Sequence, residues 1–317
     1  MGSGSEPSDA FGLLLVGAGR MGLTHLRALS VSDAVAVRAV VDPTPRARAA
    51  AMEIDRGVRT YAELDQALAE APVDGVLIAA PSTLHRTLVA ACAERRLPIL
   101  CEKPCGTSTD DIDAASRAAD AAGVRLQIGY WRRFVPELQA LRSQLRDGNF
   151  GELLMISSWQ WDGQPPEASF QAASGGIVID MAVHEFDLIR WLTGQELSSP
   201  ARASIVPAAN AAHDDPDAVS LLLELSGGAV ALISLGRYFP HGDCVWVELM
   251  GTSDHARVDV LWGEPGDEVF HAALRAQAED FARRVREGGA GVGASAADAR
   301  RTLELAQLAT EARARAG

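Results

Sequence analysis

The stretch that most limits the fold is "LLLVGAGRMG", residues 13–22. An apolar run leads into Gly17, Gly19 and Gly22 at GxGxxG spacing, and the helical "MGLTHLRAL" follows. That order predicts a strand, a tight turn and a helix. The first glycine permits the turn, the second lets a pyrophosphate approach the backbone, and the third packs helix against strand. Phosphate then rests on the helix N-terminus, beside Arg20 and Met21. Asp42 ends the next apolar run, 20 residues after Gly22 (42 − 22), where an acid hydrogen-bonds the ribose hydroxyls of a dinucleotide. A carboxylate there repels a 2′-phosphate, so NAD is expected over NADP, although Arg46 and Arg48 stand close by.

The rest of the first part repeats the same alternation. "AVAVRAVVD", "GVRTY", "DGVLIAA", "PILCE" and "VRLQIGY" read as strands, with amphipathic stretches such as 62–70 and 83–95 between them. With the first strand they make six, enough for an N-terminal Rossmann dinucleotide-binding domain over 11–130, after a disordered or tag-like start at 1–10. Beyond it the pattern changes. A helix over 135–147, "ELLMISSWQW", a helix over 176–192 and four further strand-like runs precede two Ala-rich helices at 270–287 and 296–315. The fold class is therefore α/β, with 131–317 forming a C-terminal α+β domain whose large, mostly antiparallel open sheet serves substrate binding and oligomerisation. Leu221, Leu223 and Leu225 alternate on a sheet face for which the sequence offers no covering helix. Such a face predicts a homodimer or homotetramer.

Two stretches carry residues suited to proton chemistry. Among 29 Lys plus Arg, Lys103 in "CEKPC" is the single lysine. Arginine stays protonated at any relevant pH, whereas a lysine can give up its proton when its surroundings favour that. In "SGGIVIDMAVHEFDLIRWL", Asp180 and His184 are i,i+4 neighbours and His184 and Asp187 are i,i+3 neighbours, so one helix can hold an imidazole between two carboxylates. An ordinary surface network would look the same. Glu185 falls within the apolar arc of this helix, and the sequence offers no reason for it.

A net charge of −13 argues against nucleic acid and anionic membranes as partners. No apolar run is long enough to span a bilayer, and the N-terminus does not resemble a signal peptide. The four cysteines, at 92, 101, 105 and 244, have no metal-ligand or framework spacing. They read as small buried residues in a reducing cytoplasm, and no metal is expected.

The pieces "GAGRMGLTHLRAL", "AAPSTLHRTLVAAC", "CEKPCGTS", "GYWRRFVPEL", "GGIVIDMAVHEFDLIRWLTG" and "FARRVREGG" with "DARRTLELA" resemble, in order, the motifs of the glucose-fructose oxidoreductase/inositol dehydrogenase/rhizopine-catabolism (Gfo/Idh/MocA) oxidoreductases. The resemblance implies that Glu102–Lys103–Pro104 is the family's EKP motif, with Lys103 beside the nicotinamide. It also implies that Ala80, Pro81 and His85 belong to a loop lining the cofactor, and that Asp180 and His184 are the acid and imidazole of the site. Ser82, Ala182 and the "RYFPHGD" run, with Pro240 and His241, depart from the family pattern.

The activity so implied is oxidation of a secondary hydroxyl on a polyhydroxylated ring: a cyclitol, a sugar, or an aminocyclitol or aminoglycoside. His184 or Lys103 takes the proton. Trp131, Arg133, Trp161, Tyr238 and His241, with Arg132 and Trp159 nearby, are candidates to hold the ring. Two alternatives stay open: a glycosidase that oxidises its substrate transiently, and a non-catalytic, ligand-sensing regulator.

Overall fold

The computed structural model describes residues 9–167, 174–200, 202–206, 215–262 and 266–316. Of the tag-like start expected at 1–10, the first eight residues lie outside that description. The chain divides into two compact units, one comprising the chain up to Trp131 with His271–Ala296, the other Arg132–Phe270 with the chain from Ala297 on.

In the first unit the six predicted runs become β1 (Phe11–Val16), β2 (Val35–Val41), β3 (Arg59–Tyr61), β4 (Gly75–Ile78), β5 (Ile99–Glu102) and β6 (Leu126–Gly129). They are joined by α1 (Arg20–Leu29), α2 (Pro45–Ile54), α3 (Leu64–Glu70), α4 (Ser82–Glu94) and α5 (Thr109–Ala122). The sheet is parallel, in the order β3-β2-β1-β4-β5-β6. Every residue of β1 is buried, as expected for a central strand covered on both faces. The order reverses between β1 and β4, which opens a crevice at the carboxyl ends of the strands.

The sequence reading runs the second domain unbroken from 131 to 317, but His271–Ala296 packs with the first unit. The physical reason lies in the apolar stripe of α8 (Gly266–Glu287). Ala278, Phe281 and Ala282 join Phe11, Leu13 and Leu15 in one core, and the Phe281 ring meets Phe11 edge to face at 6.1 Å. The Ile128 amide donates to the Ala294 carbonyl, continuing the pairing beyond β6.

The second unit contains α6 (Pro136–Arg146), β7 (Leu153–Trp161), a π-turn at Val178–Ala182 running into α7 (Val183–Thr193), β8 (Arg202–Val206), β9 (Ala218–Glu224), β10 (Val230–Gly236), β11 (Cys244–Gly251), β12 (His255–Trp262) and most of α9 (Ala296–Ala316). Its sheet is ordered β12-β11-β7-β10-β9-β8. Only β7 and β10 pair in parallel, and the other pairs are antiparallel. The predicted Ser-Gly-Gly hairpin joins β9 to β10, with the Leu225 amide donating to the Ala229 carbonyl and Gly228 at φ +90°.

The strand parity corrects one expectation. Leu221, Leu223 and Leu225 do not form the uncovered face: all three are buried in the unit's own core, to which α7 also contributes. The opposite residues form a row that is buried at Ser157 and opens toward its ends. Leu222 pairs with Leu232, Leu232 with Ser157, Ser157 with Glu248 and Glu248 with Arg257. On the same face Trp159 stacks on Trp246 at 4.9 Å, Trp262 meets Trp246 at 5.6 Å, and Arg257 lies over both Trp246 and Trp262. Leu222 is 40% and Trp262 51% exposed.

Candidate active site

The glycine turn closes because only hydrogen fits. A Cβ on Gly17, at φ +97°, would lie 2.7 Å from the Ala79 carbonyl oxygen, and one on Gly22 would lie 2.0 Å from the Gly17 carbonyl oxygen. A Cβ on Gly19 would meet nothing within 4 Å, so the second glycine borders open space at the head of α1. No side chain caps that helix, and its first amides remain available to an anion. Arg20 is exposed and Met21 half-buried beside it. The Asp42 carboxylate reaches back to the turn, accepting from the Ala18 amide and from the Thr44 amide, both at 2.8 Å. Arg48 donates to the Asp42 and Pro43 carbonyls at 2.7 and 3.0 Å, which ties this arginine to backbone. These features fit a dinucleotide.

Around Lys103 the chain is anchored from below. Lys103 follows β5 and is half-buried, and its peptide bond to Pro104 is cis. Glu102 is buried, accepting from the Lys103 amide at 3.1 Å through Oε2 and meeting His25 Nε2 at 2.6 Å through Oε1. His25 is on α1, so this contact links the phosphate helix to the lysine's own backbone. A Cβ on Gly129 would lie 3.0 Å from the Glu102 carboxyl carbon, and β6 keeps a glycine there. His85 is buried, with Nδ1 and Nε2 each 2.8 Å from the carbonyl oxygens of Pro104 and Ala80 respectively. Burial lowers its affinity for a proton, and the two carbonyls oppose that. The ring thus joins the loop after β4, where Ala80 is half-buried and Pro81 exposed, to the loop after β5.

In the second unit Asp180 lies in the π-turn and His184 in the first turn of α7, both largely buried. A π-turn adds one residue to a helical turn and is frequent at functional sites. The regular helix that the sequence predicts over 176–192 does not contain it. Asp187 is held by Arg133, whose Nε and Nη2 donate to its two oxygens at 2.9 and 2.5 Å. Burial pushes the Asp187 carboxyl up, and Arg133 opposes the rise. Arg133 also lies 3.4 Å from Asp298, so this candidate ring-holder is engaged in an ion-pair network.

Glu185 has its explanation too: it is fully buried, 2.5 Å from Arg132 Nη1, and accepts from the Ser158 hydroxyl. Arg132 also donates to Gln160. Trp131 is buried in a short 3₁₀ turn, Trp131–Phe134. Trp161 donates from Nε1 to Ser234 at 3.0 Å, its ring occupying the space that a Cβ on Gly236 would need. Tyr238 is 49% exposed, and His241 lies edge-on to Phe239.

The sequence reading missed Arg237. It is buried after β10, with Nη1 2.7 Å from Asp162 and 3.5 Å from Asp180. In the sequence it stands between a glycine and a tyrosine in "LGRYF", where nothing local marks its carboxylate partners. All four cysteines are buried, with burial pushing the Cys92 thiol up to about 12. Among the described residues no group of His, Cys, Asp or Glu is placed to hold a metal, and no helix is long and apolar enough to cross a membrane.

A parallel sheet in this order, with a glycine turn after β1 and an acid after β2, defines a dinucleotide-binding Rossmann fold. Comparison with known proteins gives the family. Residues 11–130 match the oxidoreductase family with the NAD-binding Rossmann fold, and residues 138–257 match the GFO/IDH/MocA C-terminal domain. The chain belongs to the Gfo/Idh/MocA family of NAD-dependent oxidoreductases acting on CH–OH groups. It is 49% identical over 302 residues to the rhizopine catabolism protein MocA of Rhizobium meliloti, covering 95% of this chain and 94% of that one. It is 34% identical to an inositol 2-dehydrogenase of the same species, strain 1021, covering 76% and 73%. Among solved structures it resembles scyllo-inositol dehydrogenase of Lactobacillus casei with bound NAD(H) and scyllo-inositol, at a TM-score of 0.85 and 25% identity over 96% of each chain.

Proposed function

We propose that the protein oxidises a secondary hydroxyl of a polyhydroxylated ring, either a cyclitol or a sugar, including amine-bearing rings. The observation that carries this reading is the half-buried acid Asp180 and the buried imidazole His184 of the second unit, in a chain 34% identical to an inositol 2-dehydrogenase. Bound NAD supplies the hydride acceptor. His184 takes the hydroxyl proton, Asp180 aims the ring and holds a substrate hydroxyl, and Lys103 donates to the reacting oxygen and stabilises the developing alkoxide. Purified protein incubated with NAD and a panel of cyclitols, sugars and aminoglycosides should generate NADH absorbance with a cyclitol. Release of an aglycone from a glycoside without net NADH would favour the transient-oxidation glycosidase instead. Binding without either product would favour a sensor.

Asp42 sets the cofactor preference in this reading. NAD should exceed NADP in kcat/KM, and Asp42→Ala should narrow the gap. The same substitution should weaken NAD itself, because the Ala18 amide loses its acceptor. Equal kcat/KM for the two cofactors in the unmodified protein would refute the assignment.

The exposed aromatic face of the second sheet supports assembly. A row holding Leu222, Trp246, Met250 and Trp262 favours burial against a second copy. Light scattering at micromolar concentration should report a dimer or tetramer, and Trp262→Glu with Met250→Glu should shift it toward monomer. A monomeric unmodified protein overturns the proposal.

A further inference from the structure

Arg237 brings four parts of the second unit to one guanidinium. Its backbone amide donates to the Asp217 carbonyl at 3.0 Å, tying the end of β10 to the entry of β9. Its Nη1 donates to Asp162 Oδ2, just past β7, and lies 3.5 Å from Asp180 Oδ2 in the π-turn. Its Nη2 lies 3.8 Å from Asp215 Oδ2, and the other oxygen of Asp215 accepts from the Ile177 amide at 2.8 Å. Asp215 is thus fixed to the backbone immediately before the turn that carries Asp180. Gly176, at φ +87°, leaves the room: a Cβ there would lie 2.7 Å from that Asp215 oxygen.

The charge count around this side chain is uneven. Asp162, Asp180 and Asp215 lie within 4 Å of the guanidinium. Asp243, which accepts from the Gly163 amide, adds a fourth negative charge near Asp162. Burial already pushes the Asp162 carboxyl up, with Asp243 and Asp180 adding to the rise and Arg237 opposing it. Carboxylates this close cannot all stay ionised without a counter-charge, and arginine is the one side chain certain to supply it at any working pH.

A purely structural arginine at this depth would be expected to satisfy its donors. Among the described residues, neither Nε nor Nη2 of Arg237 makes a hydrogen bond. The side chain is arranged around carboxylate charge more than around hydrogen-bond completion.

We propose that Arg237 is a positioning residue for the oxidation, orienting the Asp180 carboxylate and serving as its counter-ion so that Asp180 can aim His184 and hold substrate. The proposal rests on the reading that Asp180 and His184 act on the substrate. Its consequences are electrostatic as well as steric. Arg237→Gln keeps much of the volume and removes the cation, whereas Arg237→Lys keeps the cation and loses the planar fork.

The test uses the NAD-loaded protein with carbon-13 carboxyl-labelled aspartate, the Asp180 resonance being assigned by its loss in Asp180→Asn. Arg237→Gln should raise the Asp180 titration midpoint by about 1–3 units, the range for losing a nearby opposite charge. Arg237→Lys should bring it most of the way back while kcat for the best cyclitol of the panel stays reduced. If Arg237→Gln does not fold, Asp162→Asn serves instead: it frees Nη1 for Asp180 and removes a like charge, and should lower the midpoint. An Asp180 midpoint that is the same with and without the Arg237 cation, or unmoved in Asp162→Asn, overturns the role of Arg237 and leaves the proposed function standing. Wild-type turnover in Asp180→Asn removes Asp180 from the mechanism, and the positioning role with it, whereas absence of NADH with every member of the panel in the unmodified protein overturns the proposed function.

Discussion

Lys103→Arg is expected to abolish turnover while leaving NAD binding intact. In the proposed site the cofactor's phosphates and ribose fall to the Gly17–Gly22 turn and Asp42, which lie in other segments of the chain than Lys103. The lysine's backbone is held independently, its amide donating to Glu102 and Glu102 meeting His25. Arginine can still donate to an oxygen, so a role limited to hydrogen bonding should survive in part. What arginine cannot do is occupy a compact site as a point charge or exchange a proton near neutrality. Loss of transition-state contacts of this kind removes about 10²–10⁴-fold in rate. The measurement is kcat with the best substrate of the panel, set beside an NAD titration followed by fluorescence. A near-normal kcat in Lys103→Arg would return this lysine to the status of a chance survivor in an arginine-rich chain.

Elements whose signal is local were legible in the sequence, and contacts between distant segments were not. The six strands of the first unit follow from apolar runs spaced by amphipathic helices, and the glycine turn from three residue types at fixed spacing. The hairpin closed by Gly227 and Gly228 was equally plain. Leu221, Leu223 and Leu225 show the limit of that reading: alternation fixes that one face differs from the other, but not which is covered. Glu185 had no visible reason because its partner, Arg132, lies 53 residues away. Asp187 pairs with Arg133 across 54 residues for the same reason. Arg237 carries no local signal because Asp162, Asp180 and Asp215 come from separate stretches, and nothing in any one of them marks their convergence. The apolar stripe of α8 was readable as a stripe, while its partner, the core around Phe11, became known only from the fold.

The histidine helix gives the second large effect and decides between the two candidate bases. If His184 takes the proton, kcat/KM rises with pH through an apparent pKa of the site, because only the neutral ring can accept. His184→Asn should then erase that limb and lower the rate by about 10²–10⁴-fold, the usual contribution of a positioned base. Asn is the informative replacement in a helix this buried, since it keeps a polar side chain of similar reach and leaves no large cavity. Asp180→Asn should reduce turnover more than NAD binding, because its proposed duties concern the ring and the substrate. If Lys103 is the base instead, the limb persists in His184→Asn, and the smaller loss reflects substrate positioning alone. Interacting groups titrate together, so the observed midpoint belongs to the site and not to one residue. The shape of the profile in His184→Asn, more than any single midpoint, therefore identifies the base. A variant with both its rate and its pH profile unchanged would remove His184 from the chemistry and leave α7 as a buried structural helix held by Arg132 and Arg133.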